Sequence, residues 1–363
     1  MLKRRHTLTT PGELVGANLI SEKKARSLAP VSARYAIAIT PAIIDLIDPN
    51  DPNDPIARQF VPSHEELKTM AEERADPIGD DRHSPVRGIV HRYADRVLFK
   101  LTHICPVYCR FCFRREMVGG ANGPGLSKSE LDAAFNYIAD HSEIWEVILT
   151  GGDPLVLSPR KLRSSIKRLD TIEHVKIIRW HTRMPVAKPD AITKELVAAL
   201  KSARKTTYLV LHANHPRELT DEVRAACAKL VNAGIILLSQ SVLLKGVNND
   251  ADTLIALMRA LIELGVKPYY LHHADLAPGT SHFRTTIAEG QSLMRELHAR
   301  ASGLCLPSYV LDIPGGYAKA KLELCDAQPP AGEPPRGTPS YLVRDGRGGL
   351  HPYPVSEETK PPG

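Results

Sequence analysis

From residue 96 onward, short β-branched or apolar runs alternate with longer segments of helical period. The runs are Arg96–Thr102, Trp145–Thr150, Val175–His181, Thr207–His212, Ile235–Val242, Lys267–His272 and Ser308–Asp312. Six of them precede a segment that can form a helix, near 127–140, 158–169, 191–203, 219–232, 250–264 and 286–301. A spacing of roughly 25 to 50 residues between runs predicts successive βα units, and so a parallel sheet closed or part-closed into a barrel. An open doubly wound sheet would share that periodicity, but the polar residues favour the barrel. Each run ends in chemically able or turn-forming groups: Cys105, Thr150-Gly-Gly-Asp153, Arg183, His212 with Asn214, Gln240, His272 with Asp275, and Asp312. In a βα barrel such endings converge on one mouth, where active sites are built.

The flanks have a different texture. Residues 1–90 read as a polar, helical N-terminal extension packed on the succeeding core, with breaks at Asp48–Pro55 and Ala75–Asp81. Residues 91–325 form that core. Residues 326–363 hold nine Pro and six Gly, with one strand-like piece at Ser340–Val343, and read as an irregular C-terminal arm lying on the barrel or on a second subunit.

The chain has 363 residues, 43% of them apolar and 24% charged, which excludes collagen-like, coiled-coil and disordered classes. Its net charge is +6, and the first 26 residues hold six basic and two acidic side chains, Lys3, Arg4 and Arg5 reading as a solvated tail. The near-balanced remainder suits an enzyme of small anions better than a nucleic-acid binder, which carries a basic stripe. No apolar run approaches the ~20 residues of a membrane helix. With no secretion core after the basic start either, a cytoplasmic protein without membrane attachment is expected.

Of the six cysteines, three crowd into Cys105-Pro-Val-Tyr-Cys109-Arg-Phe-Cys112, on the loop that leaves the first strand. In a reducing compartment such crowding points to a metal rather than a disulfide. Three thiolates on one tight loop can ligate three irons of a 4Fe-4S cluster and leave the fourth open to a chelating ligand. A zinc site completed by a distant His and simple packing cysteines remain the alternatives. Tyr108, Phe111 and Phe113 would shield such a site from water.

This spacing at the first strand of a βα barrel resembles the signature of the radical S-adenosylmethionine superfamily. Gly151, Gly152 and Asp153 are similar to its Gly-Gly-Glu/Asp element, where bare glycine backbone approaches the methionine amino group. Over residues 35 to 320 the chain looks like the lysine 2,3-aminomutase family. The stretches that carry this include His91–Phe99, Cys112-Phe-Arg114-Arg, Thr182-Arg183-Met-Pro-Val186, Asn214-His-Pro216, Gln240–Asn248, Pro268-Tyr-Tyr270, Asp275-Leu with His282-Phe-Arg284, and Asp312–Lys319. The resemblance implies an α/β partial (βα)6-type barrel of the radical S-adenosylmethionine kind. It also implies an isomerase whose cofactors are a 4Fe-4S cluster on Cys105, Cys109 and Cys112, S-adenosylmethionine, and pyridoxal 5′-phosphate carried by Lys319.

In that family Arg92, Tyr93, Arg96, Arg183 and Gln240 would surround pyridoxal phosphate. Lys319, on a glycine-hinged loop, would be kept partly unprotonated by a cationic or desolvating neighbourhood; Lys321 is the nearby alternative. Arg114 matches the substrate-carboxylate ligand, and Asp275 with Asp312 the pair that clamps an ε-ammonium. Two acids facing one cavity repel unless a cation sits between them, so the pair points to a dibasic substrate. The implied reaction is a 1,2-amino shift converting L-lysine to β-lysine. A flavodoxin- or ferredoxin-type protein would supply one electron, and assembly as a homo-oligomer is open.

Family members of the clostridial type carry extra cysteines for an inter-subunit zinc. Asp250 stands in the corresponding loop here, so no structural zinc is expected, and Cys227, Cys305 and Cys325 read as packing residues. Alternatives are a β-lysine-forming enzyme serving elongation factor P modification, a radical enzyme of different substrate without aminomutase activity, and a non-catalytic electron carrier.

Overall fold

The computed structural model describes residues 6–119, 123, 125–313, 318–322, 341–344 and 349–353. Cys325, the basic tail at Lys3–Arg5, the Gly315-Gly316-Tyr317 hinge and most of the C-terminal arm lie outside the described residues.

Seven parallel strands run side by side in chain order: β2 (Arg96–Thr102), β3 (Glu146–Gly151), β4 (Ile177–Thr182), β5 (Thr206–His212), β6 (Ile236–Val242), β7 (Lys267–His272) and β8 (Ser308–Asp312). They coincide with the seven apolar runs to within two residues at each end. The sheet is extended by an antiparallel strand on each edge, β1 (Ile89–Tyr93) on β2 and β9 (Lys319–Lys321) on β8. Neither was visible as a separate run: β1 ends in His91-Arg92-Tyr93, and β9 has three residues. The edges β1 and β9 do not pair. Yet the Arg92 side chain on β1 reaches to 3.8 Å from Asp312 on β8, so the sheet is curled into a part-barrel that brings side chains of its two ends together.

Six crossover helices follow β2 to β7: α6 (Lys128–Asp140), α7 (Pro159–Asp170), α9 (Lys194–Leu200), α10 (Asp221–Asn232), α11 (Ala251–Glu263) and α12 (Ile287–Arg300). Each begins after a Ser, Thr or Asp whose side chain accepts an amide N–H of the first turn: Ser127, Ser158, Thr193, Thr220, Asp250 and Thr286. Asp250 therefore has a local task in this chain, accepting from Thr253 N at 2.8 Å.

Strand residues at odd and even positions face opposite ways. One face packs on the helices, as Phe99 does edge-on against Phe135 at 5.1 Å. The short helices α1 (Pro11–Gly16), α2 (Glu22–Ser27), α3 (Ala29–Arg34), α4 (Pro41–Ile44) and α5 (Pro55–Phe60) join the same continuous core through Leu14, the partly buried Ala25, Val31, Ile43 and Phe60, with Leu28 buried between α2 and α3. So do Val343 and Tyr353, on a hairpin of β10 (Tyr341–Arg344) and β11 (Leu350–Tyr353).

Candidate active site

The other strand face lines the interior of the curl. Register places Lys100 beside Thr150, Arg179 beside Tyr208, His212 beside Gln240, Gln240 beside Tyr270, and Asp312 beside Lys319. These are alternate positions of each strand, so Lys100, Arg179, His212, Gln240 and Asp312 share one face of the sheet. Two further groups of donors and acceptors complete the mouth.

The first is the cysteine loop. Cys105, Cys109 and Cys112 line one cavity of about 50 Å³ together with Tyr35, Val107 and Tyr108. Burial pushes all three thiols up, Cys112 to about 11, and each is opposed further by a neighbouring thiol or acid. Three half-buried thiols that resist deprotonation are a poor arrangement by themselves and a suitable one for a cationic cluster, which turns thiols into thiolates. Each sulfur also faces a donor: backbone hydrogen bonding from Asp153 to Cys105 and from Arg114 to Cys112, and the Arg183 guanidinium to Cys109 at 3.2 Å. Among the described residues no three His, Cys, Asp or Glu side chains close around a single ion. Cubane ligands sit on three different irons. Phe111 packs between Phe283 and His212, and Phe113 lies under the Arg114 guanidinium at 4.4 Å.

The loop is held by the N-terminal segment. Glu66, fully buried, takes Arg110 Nε at 3.0 Å and a further bond from Arg115, while Arg110 Nη1 donates to Ala36 O at 2.8 Å. Underneath, Gly152 is pressed on the loop's backbone: a Cβ there would lie 2.3 Å from Ile104 O, and one on Gly151 (φ +108°) 2.6 Å from Thr102 O. The two glycines, expected to make room for a cofactor, are thus already required by the chain's own packing. The carboxylate of Asp153 is likewise committed, accepting from Thr182 Oγ1 at 2.7 Å, Leu155 N at 3.0 Å and Arg183 N at 2.8 Å.

Arg183 makes its contacts at the cysteine loop. Expected as a pyridoxal phosphate contact, it lies on Cys109 in the chain itself, its guanidinium held by Glu218 and by Gln59 Oε1 at 2.9 Å. The reason is local: Arg183 follows β4 directly, and its amide bond to Asp153 turns it toward the cysteine loop.

The second group surrounds Lys319, which is ion-paired with Asp312; Arg92 stands 3.8 Å and His272 3.9 Å from the same carboxyl. Burial works against the Lys319 ammonium, but Asp312, Tyr93 and Asp275 outweigh it and raise its pKa. The expectation of a partly unprotonated Lys319 is reversed, because the desolvating surroundings come with carboxylates. Arg96 lies 4.0 Å over the Tyr93 ring and bonds Asp95 at 2.7 Å; Gln240 is half-buried on the interior face. Lys321, the alternative, is exposed.

Asp275 is pushed up to about 8, by burial first and by Asp312 second. No cation among the described residues stands within ion-pair distance of it. Arg114 bonds Asp80 at 3.2 Å while its Nε is buried without a partner. His181 and His212 each carry an unpartnered buried Nε2, and burial holds both well below the usual imidazole range. Unpaired donors, a spare acid and clustered cations are what an anionic cofactor and a charged substrate would satisfy. The arginines, Tyr93 and Lys319 thus fit a phosphate-bearing aldehyde, and the thiols fit a cluster. Lys100, Arg179, His181 and Asp80 belong to this interior and escaped the sequence reading. Polar residues at alternate positions of apolar strands were the signal for the first three; Asp80, in a loop, gave none.

Residues 99–258 match the family profile described as the Radical SAM superfamily. The L-lysine 2,3-aminomutase of Acetoanaerobium sticklandii is 44% identical over 283 residues, 78% of this chain and 68% of that protein. The L-lysine 2,3-aminomutase of Clostridium subterminale is 39% identical over 315 residues, 87% and 75% of the two chains. A glutamate 2,3-aminomutase of Clostridioides difficile is 37% identical over 303 residues, 84% and 71%. No described helix is long and apolar enough to cross a membrane.

Proposed function

As the chain belongs to the lysine 2,3-aminomutase family of radical S-adenosylmethionine isomerases, we propose that the amino acid on which it performs its 2,3-amino shift is L-lysine. Held by Cys105, Cys109 and Cys112, a 4Fe-4S cluster would supply one-electron chemistry toward S-adenosylmethionine, and pyridoxal phosphate on Lys319 would supply the carrier for the amino group.

The single observation that carries lysine is the pair of interior acids. Asp312 is matched by Lys319 and Arg92, while Asp275 has no matched cation among the described residues and is pushed up to about 8. A second ammonium on the substrate would supply the missing charge, and Lys319, now paired with Asp312, is the residue that would carry the cofactor. At the other end the substrate carboxylate takes the free Nε of Arg114. Arg92, Tyr93 and Arg96 orient the cofactor, with Gln240 beside them, and Cys105, Cys109 and Cys112 hold the cluster. The packed barrel keeps water from the reacting atoms. A flavodoxin- or ferredoxin-type donor supplies the electron. A glutamate would bring a second carboxylate toward Asp275 and Asp312, a repulsive match.

Anaerobic reconstitution followed by product analysis on lysine, arginine, ornithine and glutamate tests this. Lysine is expected to be the preferred substrate, and Asp275→Asn and Asp312→Asn should each lower kcat/KM for lysine at least about 100-fold, roughly 3 kcal/mol. Full activity in both variants, or preference for glutamate, refutes the assignment.

A further inference from the structure

Arg183 is the part of the mouth that the amino shift leaves unused. It is 5% exposed, and its Nη1 donates to Cys109 Sγ at 3.2 Å. The opposite edge of the guanidinium is fixed by the Glu218 carboxylate and Gln59 Oε1. Those two are themselves immobilised. Gln59 Nε2 donates to Glu218 Oε1 at 3.1 Å, and Asn214 Nδ2 donates to Gln59 Oε1 at 3.1 Å. The amides of Asn214 and His215 both reach Glu218 Oε1 at 2.9 Å. Gln59, Asn214 and Glu218 are fully buried. Phe60 packs on the guanidinium face at 4.7 Å. Helix α5, the end of β5 and the end of β4 therefore hold one cation rigidly against one cysteine sulfur.

We infer that Arg183 is a positioning residue that sets the reduction potential of the cluster through its hydrogen bond and charge on Cys109, with Glu218 as the counter-charge that limits the effect. The inference rests on the assignment of the three cysteines as cluster ligands. Hydrogen bonds to ligand sulfur and net charge nearby are two of the determinants of an iron–sulfur potential. Both favour the reduced cluster, which carries one more electron. Arg183 raises the potential, easing acceptance of one electron from a low-potential donor; Glu218 pulls it back down. Opposite effects from two residues in one ion pair distinguish this from a merely structural role, in which losing either partner would disturb the loop alike.

The test is an electron-paramagnetic-resonance redox titration of the reconstituted holoenzyme, with iron and sulfide content measured alongside. Arg183→Gln should lower the midpoint, giving about a tenfold smaller ratio of reduced to oxidised cluster at fixed potential, which is about 59 mV for one electron. Arg183→Lys, keeping the charge without the fork, should fall between. Glu218→Gln should move the midpoint upward. Should the variants load poorly, electron–nuclear double resonance on the fraction of reduced cluster present still reads the exchangeable Arg183 proton near the cluster, absent in Arg183→Gln. Unchanged midpoints, shifts of the same sign in Arg183→Gln and Glu218→Gln, or no such proton overturn the inference. Absence of any cluster in the parent protein would instead overturn the ligand assignment.

Discussion

Asp275 shows what a single residue here does to the whole chain's behaviour with pH. Its folded value of about 8 lies above the roughly 3.9 of an exposed Asp, because burial and Asp312 both oppose its charge. Between those two values the folded chain binds more protons than the unfolded one, so this group costs stability as pH rises from about 4 to about 8. Asp275→Asn is accordingly expected to melt higher than the parent at pH 8.5, by on the order of a few degrees, with the gap shrinking toward pH 5. Thermal unfolding at both pH values decides it; an equal gap at each would show that Asp275 is not held neutral. Residues with motif spacing, the three cysteines, Asp312 and Lys319, could be read from sequence. Glu66, Asp80, Gln59 and Glu218 could not, since each is one polar residue whose partner lies far along the chain and only folding brings the two together.

At the level of elements, legibility followed local chemistry. The six crossover helices are announced by apolar period and by a capping Ser, Thr or Asp at each start. The edge strands β1 and β9 are short and polar, and take their conformation from pairing with β2 and β8. The turn after β3 was legible as a motif, and packing places a further demand on it. Its glycines serve the contact between two loops, and the contact predicts its own failure. Gly152→Ala would drive a methyl into the Ile104 carbonyl, and the segment free to yield is the one carrying Cys105. We expect a loss of about 1–3 kcal/mol and a lower iron content after reconstitution. Gly16→Ala, where a Cβ meets nothing within 4 Å, is the control expected to leave both unchanged. Parent-like iron binding in Gly152→Ala would show that the loop can move without harm to the cluster.

For the whole molecule, the N-terminal segment is a structural partner of the cysteine loop. Glu66 joins it to Arg110 and Arg115 through a buried ion triad, and breaking such a triad on one side costs about 3–5 kcal/mol. Glu66→Gln should therefore lower the melting temperature and the iron content together; an unchanged melting temperature would mean that the extension is anchored elsewhere. The sheet that the segment braces is unclosed, and this has a geometric consequence. A closed barrel has its radius dictated by strand number and stagger. A curl whose edge strands never pair has no such quantised width. Among the described residues, its two ends are linked across the interior by side chains, Arg92 of β1 to Asp312 of β8, and not by backbone pairing of β1 with β9. Its width is therefore set by packing of the helices and the N-terminal segment around the sheet and not by closure of the strands on one another.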